Sequence, residues 1–182
     1  MPTAIRAGAS DGAIQWGATT PADIFTFTGA AITLKPNLIP CCTVKLSAAQ
    51  TVVSGSPTAI AFNTKTGTDW FDLTGAFNTT AFQWKPLLSG YYYMSSFMLT
   101  GASTTASELR IRKNGVGAGS GNNYIIDGNR WFGSSTIGCN NLSGIMYMNG
   151  STDYIEVFGT ITGTTSILAG STFSSFLLMR DI

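Results

Sequence analysis

The run over residues 51–99 constrains this chain more than any other part of it. It reads Thr51-Val-Val-Ser-Gly-Ser-Pro-Thr58, then Ala59-Ile-Ala-Phe-Asn63, then Phe71-Asp-Leu-Thr-Gly-Ala-Phe77, then Ser89-Gly-Tyr-Tyr-Tyr-Met94. Short apolar segments parted by Gly, Pro and Asn-Thr turns at this spacing predict an all-β sandwich. Residues 89–99 are more specific still. As a strand, they place Tyr91, Tyr93, Ser95, Phe97 and Leu99 on one face and Tyr92, Met94, Ser96 and Met98 on the other. Neither face is polar, and a strand that is apolar on both sides is covered on both sides. In a two-sheet sandwich one face meets the opposite sheet. The other needs a further partner, and a neighbouring subunit is the simplest.

The remaining segments read the same way. Residues 43–47 open the first strand of this region and residues 59–62 form a second, with a turn region around Phe77, Phe82 and Trp84. Glu108-Leu-Arg-Ile-Arg112 alternates cleanly, which sends Leu109 and Ile111 inward and Glu108, Arg110 and Arg112 outward. Lys113-Asn-Gly115 follows it, and Asn-Gly is the strongest short hairpin signal. Residues 117–123 are rich in Gly, Ser and Asn and read as an exposed loop. Residues 136–139 and 143–148 are expected to form two further strands, the second turned by Asn149-Gly150. Residues 154–158 and 172–179 close the region. No stretch carries helical periodicity of useful length.

The first forty residues differ. Ile24-Phe-Thr-Phe27 alternates at period two, while Lys35-Pro-Asn-Leu-Ile-Pro40 looks like a linker because of its two prolines. The expected division is an N-terminal arm at 1–40 and a head at 41–182. The arm is too apolar for a disordered tail. It is either an extra strand on its own head or a tether docked into a larger particle, with Trp16, Phe25 and Phe27 as buried anchors.

The ordered set of motifs resembles a known family. A strand and the turn Ser54-Gly-Ser-Pro57 precede Phe62-Asn63, then Asp72-Leu-Thr-Gly-Ala-Phe77, then Gly90-Tyr91-Tyr92. Met148-Asn-Gly-Ser-Thr-Asp-Tyr-Ile-Glu-Val157 resembles a Leu-x-x-Gly-Asp-x-Val-x-Val strand pair with one extra residue. Thr172-Phe-Ser-Ser-Phe-Leu-Leu178 resembles a terminal Phe-Ser-Gly-Phe-x-Leu strand, with Ser175 where Gly is usual. From about residue 41 onward the chain is similar to the globular heads of the C1q/TNF jelly-roll superfamily, in the version found in bacteriophage and bacterial proteins. The resemblance implies a trimeric, non-enzymatic head. It also implies core or three-fold-axis positions for Gly90, Tyr91, Phe173 and Phe176, and the two-sided strand adds Tyr92, Tyr93, Met94 and Met98.

Composition narrows the function classes. Only 10% of the 182 residues are charged against 44% hydrophobic, well below the roughly 25% charge of ordinary soluble domains. Such a surface is covered by Ser, Thr, Asn and Gly or is buried against other chains. Net charge is +1 with cations scattered singly, so the basic stripe of a nucleic-acid binder is missing. No segment supplies the roughly 18 apolar residues of a membrane span. Met1-Pro-Thr-Ala-Ile-Arg6 lacks a signal-peptide layout, so synthesis in a host cytoplasm is expected.

Histidine is absent, which removes the usual general base and the commonest metal ligand. No catalytic residue, metal or cofactor is expected. The carboxylate pairs Asp69/Asp72 and Asp153/Glu156 read as solvated surface groups or turn caps, and a calcium site at Asp69, Asp72 or Asp127 lacks the density of acidic ligands. Cys41, Cys42 and Cys139 read as small buried thiols. Trp70, Trp84 and Trp131 suit either a core or a sugar-stacking surface. The best glycan candidate is Trp131 with Asn129 and Arg130, in what reads as the polar loop Asp127-Gly-Asn-Arg-Trp-Phe132.

The expected function is that of a bacteriophage virion structural protein. A trimeric capsid decoration (cement) protein contacting the major capsid protein or another virion protein comes first, because the short arm carries no coiled-coil, collagen-like or β-helical repeat. A receptor-binding fibre tip and a secreted lectin are the alternatives, with a cell-surface glycan as their partner. Tyr92→Asp or Met98→Asp should break assembly if that face is the interface, whereas Arg110→Ala should be nearly silent.

Overall fold

A computed structural model describes residues 40–115 and 138–181 in full, together with the backbone of five strands outside them. Four of those lie at the N-terminus: β1 (Arg6–Ala7), β2 (Ile14–Gln15), β3 (Phe25–Thr28) and β4 (Ala31–Leu34). They form two antiparallel pairs, β1 with β2 and β3 with β4. The strand expected at 24–27 falls on β3 at Phe25–Thr28, with Ile24 outside the described residues. Trp16 and the side chains of Phe25 and Phe27 lie outside the described residues. The chain divides into two compact units, Met1–Leu38 and Ile39–Ile182.

The second unit is all-β. Its strands are β5 (Cys41–Lys45), β6 (Gln50–Thr51), β7 (Thr58–Ala59), β8 (Phe71–Asp72), β9 (Phe77–Asn78), β10 (Gln83–Trp84), β11 (Ser89–Thr100), β12 (Ala106–Lys113), β13 (Ile125–Phe132), β14 (Gly138–Asn149), β15 (Ile155–Thr162), β16 (Ser166–Ile167) and β17 (Thr172–Arg180). One sheet runs β6-β16-β11-β17-β5-β8 with β14 also paired to β11. The other runs β13-β12-β15-β10-β9 with β7 also on β15. Strand β11 is central to the first sheet, because β14 lies along all of one side and β17, then β16, along the other.

The core follows from alternation. Strand β11 buries Gly90, Tyr92, Met94, Ser96, Met98 and Thr100 and turns the intervening residues outward. Tyr92, Met94 and Met98 are fully inaccessible, as are Trp84, Leu109, Ile111 and Met148. Trp84 sits edge-on to Tyr92 at 5.0 Å and to Phe173 at 6.3 Å. Phe62 joins Phe77 and Phe173, each at 6.4 Å. The Tyr92 hydroxyl reaches the Leu88 carbonyl at 2.8 Å, which satisfies the one polar atom of that ring.

Two glycines are required by packing. A Cβ on Gly90 would run into the Met179 carbonyl oxygen, where β17 carries a bulge opposite Tyr91 and Tyr92. A Cβ on Gly159 would lie 2.5 Å from the Met98 sulfur and 2.9 Å from Ile167 Cδ1, in the middle of the sandwich.

Four expectations need correction. Residues 138–149 are a single strand, and all twelve pair with β11 in unbroken register. The strand expected at 59–62 shrinks to Thr58–Ala59, because the Phe62 amide turns back to the Ile60 carbonyl and leaves the ladder. Arg112, expected outward, is buried with its guanidinium 4.0 Å from the centre of the Phe158 ring. Residues 127–132, read as a polar loop, lie in β13, where Trp131 pairs with Ser107 and Arg130 with Glu108. The loop expected at 117–123 lies outside the described residues.

Candidate interaction surface

The outward side of the β11 sheet is the least ordinary surface of the molecule. Cross-strand register builds it row by row. Ile145 of β14, Tyr93 of β11, Phe176 of β17 and Cys41 of β5 form one row. Tyr147, Tyr91 and Met179 form a second. The next rows away from these are polar: Ser143, Ser95, Ser174 and Thr43, then Asn141, Phe97, Thr172 and Lys45. One end of the face is thus aromatic and aliphatic, and the other is hydroxyl- and amide-bearing around a lone Phe97.

The apolar end is open to water in the isolated chain. Ile145 and Met179 are each 60% exposed, Leu178 49%, Phe176 45% and Tyr91 43%. These five side chains belong to three adjacent strands, and scattered single exposures of this kind are ordinary whereas a contiguous patch is not. Contacts within the subunit also tie the patch together. The Tyr93 and Phe176 rings meet at 5.1 Å, tilted 35° to each other, and Tyr91 meets Tyr147 edge-on at 5.3 Å. The Tyr147 hydroxyl donates to Asp181 at 2.7 Å, and this bond raises the phenol pKa. Asp181 is itself held through its amide to the Ser89 carbonyl. A shallow open depression of about 510 Å³ marks the polar end, lined by Tyr93, Ser95, Phe97, Asn141, Ser143 and Thr172.

The structure therefore separates the residues singled out in the sequence into two groups. Tyr92, Met94, Met98, Phe173 and Gly90 are interior to the subunit, while Tyr91, Tyr93 and Phe176 face out. Sequence reading left open which side of β11 meets a partner, and the outward side is the Tyr91–Tyr93 side. It missed Ile145 and Met179. Their signal was present, since Ile145 directly opposes Tyr93 once residues 138–149 are seen as one strand.

Other candidates resolve into structural roles. The Asp72 carboxylate accepts from the Ala76 and Phe77 amides at 2.9 and 2.8 Å and from Lys65, so it caps a turn. Asp153 is buried, pairs with Lys113 at 2.6 Å and accepts from Asn114. Burial alone would raise its pKa, but the bonds from Asn114, Lys113 and the Asn149 amide outweigh this and hold the carboxyl below its usual range. Among the described residues, no three His, Cys, Asp or Glu side chains are grouped to hold a metal ion. Trp84 is core, and Trp70 packs under Lys45 at 4.9 Å. The side chains of Asn129, Arg130 and Trp131 lie outside the described residues. Of the cysteines, Cys42 is buried and Cys41 partly so, with both thiol pKa values raised by burial and then by Asp72. Cys139 is exposed, contrary to expectation, because its position opposite Leu99 turns it to the outward face.

No family model matches the sequence, and no curated protein matches it. Solved structures do match its fold. The globular domain of zebrafish complement 1qA protein aligns with a TM-score of 0.59 at 15% identity, over 79% of this chain and 99% of that one. Eiger TNF from S. frugiperda aligns with a TM-score of 0.51 at 10% identity, over 79% of this chain and 95% of that one. Murine APRIL at pH 8.0 gives 0.50 at 12% identity, over 77% and 99%. At these identities the likeness is one of architecture, and it agrees with the two sheets and the central β11 described above. The chain has the jelly-roll fold of the C1q and TNF globular domains.

Proposed function

We propose that this protein is a homotrimeric assembly head. Its β11/β14/β17 face packs on sister subunits around a three-fold axis, and the trimer serves as a bacteriophage virion structural protein, in the role of a capsid decoration. The observation that carries the reading is the exposed apolar patch of Tyr91, Ile145, Phe176, Leu178 and Met179 on three adjacent strands. Leaving that much apolar area in water is unfavourable at about 25 cal/mol per Å². A closed symmetric assembly covers it once per subunit with no residual patch. The charge-poor composition supports extensive contact with other chains, since interface cores are depleted in charge. The reading is one of binding and not of catalysis.

Light scattering on the purified protein tests the assembly directly. The expected mass is three times 19.2 kDa, and a monomer contradicts it. Quantifying the protein in purified virions tests the decoration role. A copy number close to that of the major capsid protein is expected, and a few copies per particle would overturn it.

A further inference from the structure

Two Asn-Gly sequences, Asn114-Gly115 and Asn149-Gly150, converge on one buried carboxylate. Asn114 Nδ2 donates to Asp153 Oδ1 at 2.8 Å, and the Asn149 amide donates to Asp153 Oδ2 at 2.9 Å. Asp153 is 6% exposed, whereas both asparagines stand at the surface. The two turns belong to different hairpin ends, one after β12 and one between β14 and β15. Lys113 adds a third tie, with its ammonium 2.6 Å from Asp153 Oδ2 and donating to the Tyr147 carbonyl at 2.8 Å.

Asn-Gly is also the sequence most prone to deamidation, for a steric reason. Glycine leaves its amide nitrogen unhindered, so that nitrogen can attack the Cγ of the preceding asparagine side chain. A five-membered succinimide forms as the Cγ–Nδ2 bond breaks and ammonia leaves. Water then opens the ring at either carbonyl to give aspartate or isoaspartate, so the net change is water in and ammonia out. Attack requires the side-chain amide to swing over the next backbone nitrogen. Glycine is favoured at residue 115, because its φ of +68° strains an L side chain and a Cβ would sit a tight 3.0 Å from the Tyr154 hydroxyl. The turn thus carries the reactive sequence as a consequence of its own geometry.

We propose that Asn114 is a deamidation site held shut by Asp153. Both ends of its side-chain amide are pinned: Nδ2 by Asp153, and Oδ1 by the Tyr154 amide at 2.9 Å. Its backbone is fixed as well, with φ at +57° and the amide donating to the Tyr154 carbonyl at 3.0 Å. Release of Asp153 frees the Nδ2 end and opens the path to the succinimide. Asn149 is held differently. Its Oδ1 accepts from the Ser151, Thr152 and Asp153 amides at 2.9–3.0 Å, and its Nδ2 donates to Thr152 Oγ1 at 2.6 Å. Its side chain is pinned by the local turn, and the Asp153 carboxylate reaches only its backbone amide, so loss of that carboxylate should loosen Asn149 less than Asn114. Conversion at 114 is one-way in its consequence. A carboxylate there has lost the Nδ2 donor and faces the Asp153 carboxylate, so the Asn114–Asp153 hydrogen bond cannot reform.

The test follows both sites by peptide mapping during incubation at neutral pH, reading the mass gain on exchange of NH₂ for OH. In the folded full-length protein, both sites should convert at least about tenfold more slowly than in the same chain unfolded in denaturant, since exchange must await local opening. Asp153→Ala should accelerate Asn114 well beyond Asn149, because only Asn114 loses a side-chain partner. Asp153→Asn, which keeps an oxygen acceptor for Asn114 Nδ2, should restore much of the protection. Should Asp153→Ala fail to fold, the comparison of folded with unfolded wild type and the Asp153→Asn variant still decide the matter. Equal rates at Asn114 in folded and unfolded chain would overturn the proposal. Equal acceleration of both asparagines by Asp153→Ala would overturn the assignment to Asp153, because it would report general loosening.

Discussion

Phe176→Ala is the sharpest test of the proposed assembly face. Phe176 is 45% exposed in the isolated subunit. A side chain of about 200 Å² then leaves about 90 Å² for a partner to cover. At about 25 cal/mol per Å² that is about 2 kcal/mol per subunit and about 7 kcal/mol for three copies. Since each 1.4 kcal/mol is tenfold, the trimerisation constant should fall by about 10⁵. That constant carries the square of concentration, so the midpoint of dissociation should rise by the square root, about 300-fold. Sedimentation or light scattering over a dilution series reads this midpoint. Circular dichroism checks that the subunit stays folded, because the substitution also removes the Tyr93 ring contact, worth about 1 kcal/mol within the subunit. Phe173→Ala, three positions earlier and buried, is the contrast. It should cost the fold about 3–5 kcal/mol. An unchanged dissociation midpoint in Phe176→Ala, with the wild type trimeric, would refute the placement of the interface on this face.

Two further outcomes test the interior. Gly159→Ala should destabilise the subunit by about 1–3 kcal/mol through overpacking against Met98 and Ile167, measured as a lower denaturation midpoint at unchanged slope. Asp153 should contribute pH-dependent stability. Its folded pKa lies below the unfolded value near 3.8, so the contribution is present above that pH and lost as pH falls through the folded pKa. Denaturant midpoints against pH should therefore decline in that acid range for wild type, with this part of the decline missing from Asp153→Asn.

Local alternation made most of this fold legible in the amino-acid order. Strand β11 could be read from Ser89 to Leu99 with both faces correctly sorted, because side chains on a strand point to opposite sides whatever packs on them. The inward Leu109 and Ile111 and the Asn-Gly turns came from the same local rules. Burial and pairing partners are not local. Nothing in residues 127–132 signals a strand, since Gly128 and three polar or charged neighbours interrupt the pattern, and β12 supplies the pairing that makes it one. Arg112, read as outward from local alternation, is buried under the Phe158 ring of the adjacent strand. The same holds for the interface. Two apolar faces on one strand announce two partners, but only the packing of β10 and β15 against Tyr92 and Met98 decides that this side is interior. Tyr91, Tyr93 and Phe176 are then left on the outward side, the face proposed for assembly. Alternation is fixed by the geometry of a single strand, whereas the choice between inside and outside depends on residues tens of positions away.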